Sequence, residues 1–220
     1  MATRIAIMQP YFLPYAGYFR LMCDVDAFVI YDDVQFMKGG WVHRNRLRRH
    51  DGTLGWLTLP LKRAPLNTRI NEMTFAPGHQ DTFAAAQRRF PLFARHAPEA
   101  GDVIRSVGEI TGSPCDYIIK LLLLTAEVIG LRPTVIRSSN LTIPPELKNA
   151  DRVYDVCRQL GAAEYVNAPS GRALYSEAEF DRRGIKLTFL PDYRGGFDSI
   201  LQRIADQPTG LLQEIRTNCR

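Results

Sequence analysis

Five short apolar runs separated by helix-patterned segments constrain this chain more tightly than any other feature. Residues 4–7, 27–31, 134–136, 164–166 and 186–190 are each three to five residues long and give way to polar or turn-forming residues. Runs this short, bounded this way, read as buried strands and not as helices. The helical patterns between them follow the order β-α-β, a strand-rich stretch, several helices, then β-α-β-α-β. Strands that alternate with helices predict an α/β fold in which a mainly parallel, Rossmann-like sheet carries helices on both faces.

The helical segments have recognisable ends. Residues 19–25 are helix-like, residues 80–95 form a helix interrupted by Pro91, and Val103, Ile104 and Val107 mark a further helical stretch. Residues 115–129 form the strongest helix, opened by Ser113-Pro114 and stopped at Gly130. Residues 150–160 are amphipathic and close at Gly161, and residues 176–183 carry Ser176 as N-cap with Glu179 at the capping-box position. Residues 34–76 differ in character. Residues 41–47 alternate, Asp51-Gly52-Thr53 is a turn signal and residues 55–59 follow as a strand, so a β-hairpin is expected, with another strand at residues 71–75. No repeat, long linker or low-complexity segment divides the chain. The expectation is one α/β domain over residues 1–220, with residues 34–76 as a β-rich insertion.

The 220 residues are 45% hydrophobic and 23% charged, which is ordinary globular usage and excludes disordered and fibrous classes. The net charge of +5 is unevenly placed, with Arg44, Arg46, Arg48, Arg49 and His50 close together downstream of Lys38. Such a cluster suits an anionic partner, either a phosphate or a carrier-protein surface. Nucleic acid is the weaker reading, because no zinc spacing, recognition helix or aromatic RNA-binding motif accompanies the arginines. Cys23, Cys115, Cys157 and Cys219 lack paired spacing, so neither a disulfide framework nor a zinc site is indicated. The first residues lead directly into a strand, and the apolar stretch 117–131 contains Lys120 and Glu127 and is too short for a bilayer. A cytoplasmic protein without a membrane span is expected.

Between the first strand and the first helix lies an unusual turn, residues 8–20, with Gln9, Pro10, Tyr11, Phe12, Pro14, Tyr15, Gly17 and Tyr18. Ligands of open α/β sheets sit at the carboxyl ends of the strands. That position makes the turn a candidate floor for a binding site, with Gln9, Tyr11, Tyr15 and Tyr18 as substrate-binding groups; the alternative is plain aromatic packing.

These segments resemble the WbqC-like protein family. The resemblance rests on Met8-Gln9-Pro10-Tyr11-Phe12 with Pro14-Tyr15 and Gly17-Tyr18-Phe19, on Phe28-Val29-Ile30-Tyr31-Asp32-Asp33-Val34-Gln35-Phe36, and on Gly40-Trp41 with Arg44-Asn45-Arg46. Trp56-Leu57-Thr58, Pro60-Leu61-Lys62, Ser138-Ser139, Cys157, Leu160-Gly161-Ala162, Tyr165, Gly171, Phe180 and Gly184-Ile185 complete it, over about residues 4–190. The resemblance implies a setting in O-antigen or other glycan biosynthesis and the transfer of an aminoacyl group to an amino sugar. Two departures stand out. His43 replaces the asparagine that relatives carry before the Arg-Asn-Arg triplet, and residues 193–220 lack the expected aromatic ending, so the acceptor can differ from a sugar. A second resemblance concerns the fold: residues 14–18 occupy the place of the His-x-Gly-His sequence of nucleotidyltransferases, and Ile136 to Ser139 look like their later Ser-Ser signature. Tyrosine cannot replace an imidazolium at a transition-state phosphate, so this resemblance implies nucleotidyltransferase-like architecture without adenylyl transfer.

Acyl transfer to an amine requires a proton acceptor, a holder for the carbonyl oxygen and a site for the activated donor. Asp32 and Asp33, at a strand end, are candidates to orient or deprotonate an ammonium, or else to cap the following turn. His43 has a model-peptide pKa near ~6.5 that suits a general base, beside the alternative of binding or tuning. Arg44 and Arg46 alternate across Asn45, so in an extended strand they share one face and can clamp a phosphate or a phosphopantetheine phosphodiester. Lys62 supplements that site, Gln35 and Asn45 are further substrate-binding candidates, and Ser138, Ser139 and Asn167 lie at the ends of further strands along the same sheet edge. Cys115 at a helix N-terminus is a candidate nucleophile through a lowered thiol pKa, whereas Cys157 reads as a small buried hydrophobe. The leading expectation is an amide-forming acyl or aminoacyl transferase that takes a phosphopantetheine thioester from a carrier protein to an amine substrate. No tightly bound cofactor and no metal are expected. A nucleotidyltransferase-like enzyme and a non-catalytic accessory protein that binds a carrier protein are the alternatives.

Overall fold

A computed structural model describes residues 3–94, 100–206 and 209–218. Its centre is a five-stranded sheet of β1 (Thr3–Met8), β2 (Ala27–Ile30), β5 (Val135–Arg137), β6 (Ala162–Asn167) and β7 (Lys186–Phe189), while β3 (Arg44–Arg48) and β4 (Leu54–Thr58) form a separate hairpin. The order across the large sheet is β5-β2-β1-β6-β7 and every pairing is parallel. The chain builds outward from β1 to β2 and β5, then returns to the other side for β6 and β7. The order reverses beside β1, as in Rossmann-like sheets.

Side chains alternate across a strand, and here the alternation divides the core in two. Ala6, Phe28, Ile30 and Val166 face one hydrophobic cluster; Ile5, Ile7, Val29 and Tyr165 face the other. The first cluster is covered by α1 (Arg20–Cys23), α2 (His79–Gln87), α3 (Gly101–Gly108), α4 (Pro114–Val128), α7 (Ile200–Asp206) and α8 (Leu211–Thr217). The second is covered by α5 (Asn149–Gln159) and α6 (Glu177–Asp181). Strands buried on both faces explain why the runs in the sequence are continuously apolar.

The strongest helix has the ends its sequence calls for. The Ser113 side chain accepts from the Asp116 N–H at 3.1 Å, and Pro114 takes the first turn, where a missing N–H costs nothing. At the other end Gly130 has φ +83°, with its N–H on the Glu127 carbonyl and that of Leu131 on the Ala126 carbonyl. This is a Schellman closure, which favours glycine at the left-handed position.

Other expectations change. Residues 71–75 are not a strand: Ile70–Glu72 forms a 3-10 turn closed by the Glu72 carboxylate on the Arg69 N–H at 2.9 Å, leaving single bridges at Gln35–Arg69 and Leu61–Phe75. Local capping outcompetes the ladder there. Ser176 makes no side-chain capping bond, its backbone carbonyl taking the Glu179 N–H at 3.1 Å instead, and the Glu179 carboxylate accepts from the Tyr154 hydroxyl at 3.2 Å. Residues 19–25 divide into a 3-10 turn, Ala16–Phe19, and the single helical turn α1. The helix expected over residues 80–95 ends at Gln87 and resumes only as the 3-10 turn Pro91–Ala94, with Arg95 outside the described residues, as is Cys219. Helices α7 and α8 have no counterpart in the sequence reading. Leu47, Leu57, Leu59, Ile70 and Met73 of the strand-rich stretch share one cluster with Phe12, Leu13 and Phe83, so the hairpin is fastened to the body by apolar burial. No described helix is long and apolar enough to cross a membrane.

Candidate functional site

The turn after β1 is held in a left-handed kink. Leu13 has φ +47°, a conformation that costs a non-glycine residue about 1–3 kcal/mol and persists only when its surroundings hold it. The surroundings are visible. The Asn45 amide donates to the carbonyls of Phe12 (3.2 Å) and Leu13 (2.6 Å), and the Ser199 hydroxyl donates to the same Leu13 carbonyl at 2.8 Å. The Phe12 N–H donates to the Trp41 carbonyl and the Ile200 N–H to that of Pro14, so hairpin and C-terminal segment are both tied to the turn. Gly17 is required because a Cβ there would lie 2.2 Å from the Tyr15 ring and 2.9 Å from that of Tyr193. Tyr18 is buried and donates to the Gln9 carbonyl at 2.8 Å, which makes it a brace within the turn.

These ties enclose a pocket of about 270 Å³ lined by Tyr11, Tyr15, Trp41, Asn45, Arg46 and Phe197 beside Pro14. Burial raises the phenol pKa of both Tyr11 and Tyr15, so each stays a neutral hydrogen-bonding group. The hairpin presents its arginines as its alternation requires: Asn45 and Leu47 point inward, whereas Arg46 and Arg48 are exposed. Arg44 lies over the Trp56 ring at 4.1 Å, Arg46 is 5.7 Å from the rings of both Trp41 and Trp56, and Arg44 donates to the Gly39 carbonyl. Arg48 is paired with Asp198 at 3.2 Å.

A larger cleft, about 1100 Å³, is lined by the segment joining β2 to β3 and by the stretch from Thr58 to Leu66. Apolar side chains, among them Phe36, Leu59, Leu61 and Met73, form most of its wall, and Lys38, Lys62 and Arg63 supply positive charge. His43 lines it with Gln35, whose amide donates to the Leu66 carbonyl at 2.6 Å. Burial, assisted by the neighbouring Arg44 charge, lowers the His43 pKa to about 4. The ring stands edge-to-face against Phe36 at 5.1 Å, and its Nδ1 is buried without a hydrogen-bond partner. His43 is therefore neutral at physiological pH and a far weaker base than its unperturbed value suggests.

Asp32, Asp33, Ser138 and Ser139 come together as expected of four groups at neighbouring strand ends, but as a closed network. Asp32 is wholly buried. One carboxylate oxygen accepts from the Ser138 hydroxyl (3.1 Å) and the Ser139 N–H (3.0 Å), the other from Arg137 Nε (2.7 Å) and the Ser139 hydroxyl (2.8 Å). Three donors, a share of the single Ser138 proton and complete burial keep a substrate ammonium away from Asp32. Asp33 competes with Asp32 for the one Ser138 proton, its oxygen lying nearer at 2.5 Å, and accepts from Arg152 of α5. The geometry makes both carboxylates clamps that join β2, β5 and α5, in place of the proton-removing role expected for them. Arg137 extends the network to Asp116 at 2.6 Å. Asn167 is buried beneath Gly171, where a Cβ would lie 2.4 Å from its amide nitrogen, and its Oδ1 accepts from the Ala168 N–H at 2.7 Å, so it shapes a loop.

Cys115 departs from expectation. It is fully buried, and burial with the Asp32 charge pushes its thiol up to about 12, against the lowering expected of a helix N-terminus. Cys157 is buried and likewise raised by burial to about 12.

The structure thus sorts the sequence-derived residues into three places. Tyr11, Tyr15, Asn45 and Arg46 meet in the small pocket; Gln35, His43 and Lys62 line the cleft; Asp32, Asp33, Ser138 and Ser139 form the buried network. Gln9, Tyr18, Arg44 and Asn167 line neither cavity, so Arg44 and Arg46 do not share one site as the clamp expected of them. Trp41, Phe197, Arg137 and Arg152 were not singled out from the sequence. Trp41 and Trp56 flank the hairpin arginines and Arg137 ends a strand, signals that were present; nothing local marks Phe197 or Arg152.

The sequence model of the WbqC-like protein family matches residues 9–195. The uncharacterized protein Rv1507c of Mycobacterium tuberculosis is 31% identical over 199 residues, covering 87% of this chain and 83% of that protein. No solved structure matches the chain.

Proposed function

The chain belongs to the WbqC-like protein family, and on that footing we propose that it is a cytoplasmic, amide-forming acyl transferase. It takes an acyl or aminoacyl group from the phosphopantetheine thioester of a carrier protein to an amine such as that of an amino sugar. One observation carries the reading: the cleft of about 1100 Å³ combines a mostly apolar wall with Lys38, Lys62 and Arg63. A phosphopantetheine arm asks for that combination, a long weakly polar chain ending in a phosphodiester.

In this reading the amine nitrogen bonds to the thioester carbonyl carbon, the C–S bond breaks, and the amine proton passes to the departing sulfur. A thiolate, with a thiol pKa near ~8.5, is a better proton acceptor than a histidine held near 4. His43 then serves as a neutral hydrogen-bonding group beside the reacting atoms, and Gln35 orients the amide-rich arm. The exposed Arg46 and Arg48, with Arg49 and His50 beside them, offer an acidic carrier protein a cationic approach.

A second reading, a nucleotidyltransferase-like enzyme, is favoured by the β5-β2-β1-β6-β7 strand order. Its weakness is Tyr18, buried against the Gln9 carbonyl where that chemistry needs a cation. Calorimetric titration separates the two. The first predicts saturable binding of a phosphopantetheine thioester that Lys62→Glu weakens at least tenfold; saturable binding of ATP with none of the thioester would favour the second.

A further inference from the structure

We infer that the aromatic pocket beside the turn after β1 is a binding site for a small planar ring that carries one negative charge. The inference is independent of acyl transfer in the larger cleft. Tyr11, Tyr15, Trp41 and Phe197 contribute four aromatic side chains to about 270 Å³. That volume lies just below the usual range for drug-sized ligands, about 300–1,000 Å³, and suits one or two rings. Two of the four are costly to leave in water: Trp41 is 41% exposed and Phe197 is 66% exposed. Large aromatic side chains exposed around one concavity mark a recognition surface. Phe197 also lies 5.1 Å from the Tyr15 ring, which places it at the wall and not adrift. A flat ligand entering between such rings gains offset or edge-to-face contacts.

The charge and the polar groups narrow the ligand further. Arg46 is the one charged side chain of the lining, and among the described residues it makes no ion pair, only cation–π contacts with Trp41 and Trp56. A guanidinium in that position matches a carboxylate or phosphate on the ligand. The Asn45 amide is not available, since its nitrogen serves the Phe12 and Leu13 carbonyls and its oxygen accepts from the Arg46 N–H at 2.7 Å. That leaves the Tyr11 and Tyr15 hydroxyls, the Trp41 indole N–H and Arg46 as the side-chain polar groups of the lining. A ligand with many hydroxyls would lose water without replacement partners, a penalty a planar ring with one anionic group avoids.

Calorimetry on the full chain tests this with benzoate and indole-3-acetate, one ring and two, as the planar monoanions. The comparison titrants are cyclohexanecarboxylate (charge, no planarity), benzyl alcohol (ring, no charge) and glucose 1-phosphate (charge, many hydroxyls). At least one of the two planar anions is expected to bind with one-site saturation, at least tenfold more tightly than all three comparison compounds; whichever is tighter assigns a one-ring or a two-ring acid. Arg46→Gln and Phe197→Ala should each weaken that binding at least tenfold, whereas Arg105→Gln on α3 should not. Both substitutions are at exposed positions, so circular dichroism should show an unchanged fold. The inference is overturned if neither planar anion saturates, if cyclohexanecarboxylate or glucose 1-phosphate binds as tightly, or if folded Arg46→Gln binds as wild type does.

Discussion

Replacing Asp32 should unfold this protein more readily than it changes any chemistry. The side chain is 0% exposed and accepts from Arg137 Nε, both Ser138 and Ser139 hydroxyls and the Ser139 N–H. Alanine would strand the Ser139 N–H and hydroxyl and leave the Arg137 guanidinium only Asp116, while Ser138 keeps Asp33. Removing one partner of a buried ion pair costs about 3–5 kcal/mol. Asparagine is gentler. Its oxygen can keep the Ser138 hydroxyl contact and the Ser139 N–H bond, Ser139 can rotate its hydroxyl, and only Arg137 Nε loses its acceptor, while Asp116 still holds the same arginine at 2.6 Å. The loss of one bond to a charged group is about 1.5–3 kcal/mol. At about 2–4 °C per kcal/mol for a chain of this size, Asp32→Ala should lower Tm by roughly 6–20 °C, and Asp32→Asn by about half as much. Urea unfolding followed by circular dichroism gives the free energies directly. An Asp32→Ala protein within about 1 kcal/mol of wild type that has lost ligand binding or turnover would refute the structural role and return Asp32 to the chemistry.

Three further outcomes follow from the same geometry. His43 has a folded pKa of about 4, below its unfolded value of 6.5, so the unfolded chain binds more protons between those limits and stability falls as pH falls through them. Unfolding at pH 7 and pH 5 should therefore show a larger loss for wild type than for His43→Gln, and equal losses would contradict the assignment. Asn45→Ala should cost about 1–3 kcal/mol by denaturant titration, because the Phe12 carbonyl loses its side-chain donor and Leu13 keeps only Ser199. Mass-mapped alkylation of the native protein at pH 8 should leave Cys115 and Cys157 unlabelled, as burial holds both thiols near 12; rapid labelling of Cys115 would revive a cysteine nucleophile.

What the sequence disclosed and what it hid have physical causes. Strand runs such as Ala27–Ile30 are legible because burial on both faces makes them uniformly apolar, and α4 because Ser113, Pro114 and Gly130 act through neighbours a few residues away. The hairpin register showed in the alternation Arg44-Asn45-Arg46. Residues 71–75 misled because a 3-10 turn capped by Glu72 presents the same apolar spacing as a strand. The site was half legible. Which groups reach the carboxyl edge of the sheet follows from strand ends, and Asp32, Asp33, Ser138 and Ser139 do meet there. That they satisfy one another depends on Arg137 and Arg152, and Arg152 is 119 residues from its partner Asp33, a pairing no local pattern encodes. Asn45 looked like a substrate group because its neighbours are arginines, yet alternation turns it inward to Leu13. The charge state of His43 depends on burial that only the folded cleft supplies.

The central claim is best tested by single-turnover intact-mass analysis: wild-type protein mixed with an aminoacyl-carrier protein and an amine pool that includes amino sugars. An acyl transferase should give faster loss of the thioester than in buffer, with a stoichiometric amide product, and strong slowing by Lys62→Glu in the cleft. Thioester loss no faster than in buffer across the amine pool, or amide formation that Lys62→Glu leaves untouched, would contradict it.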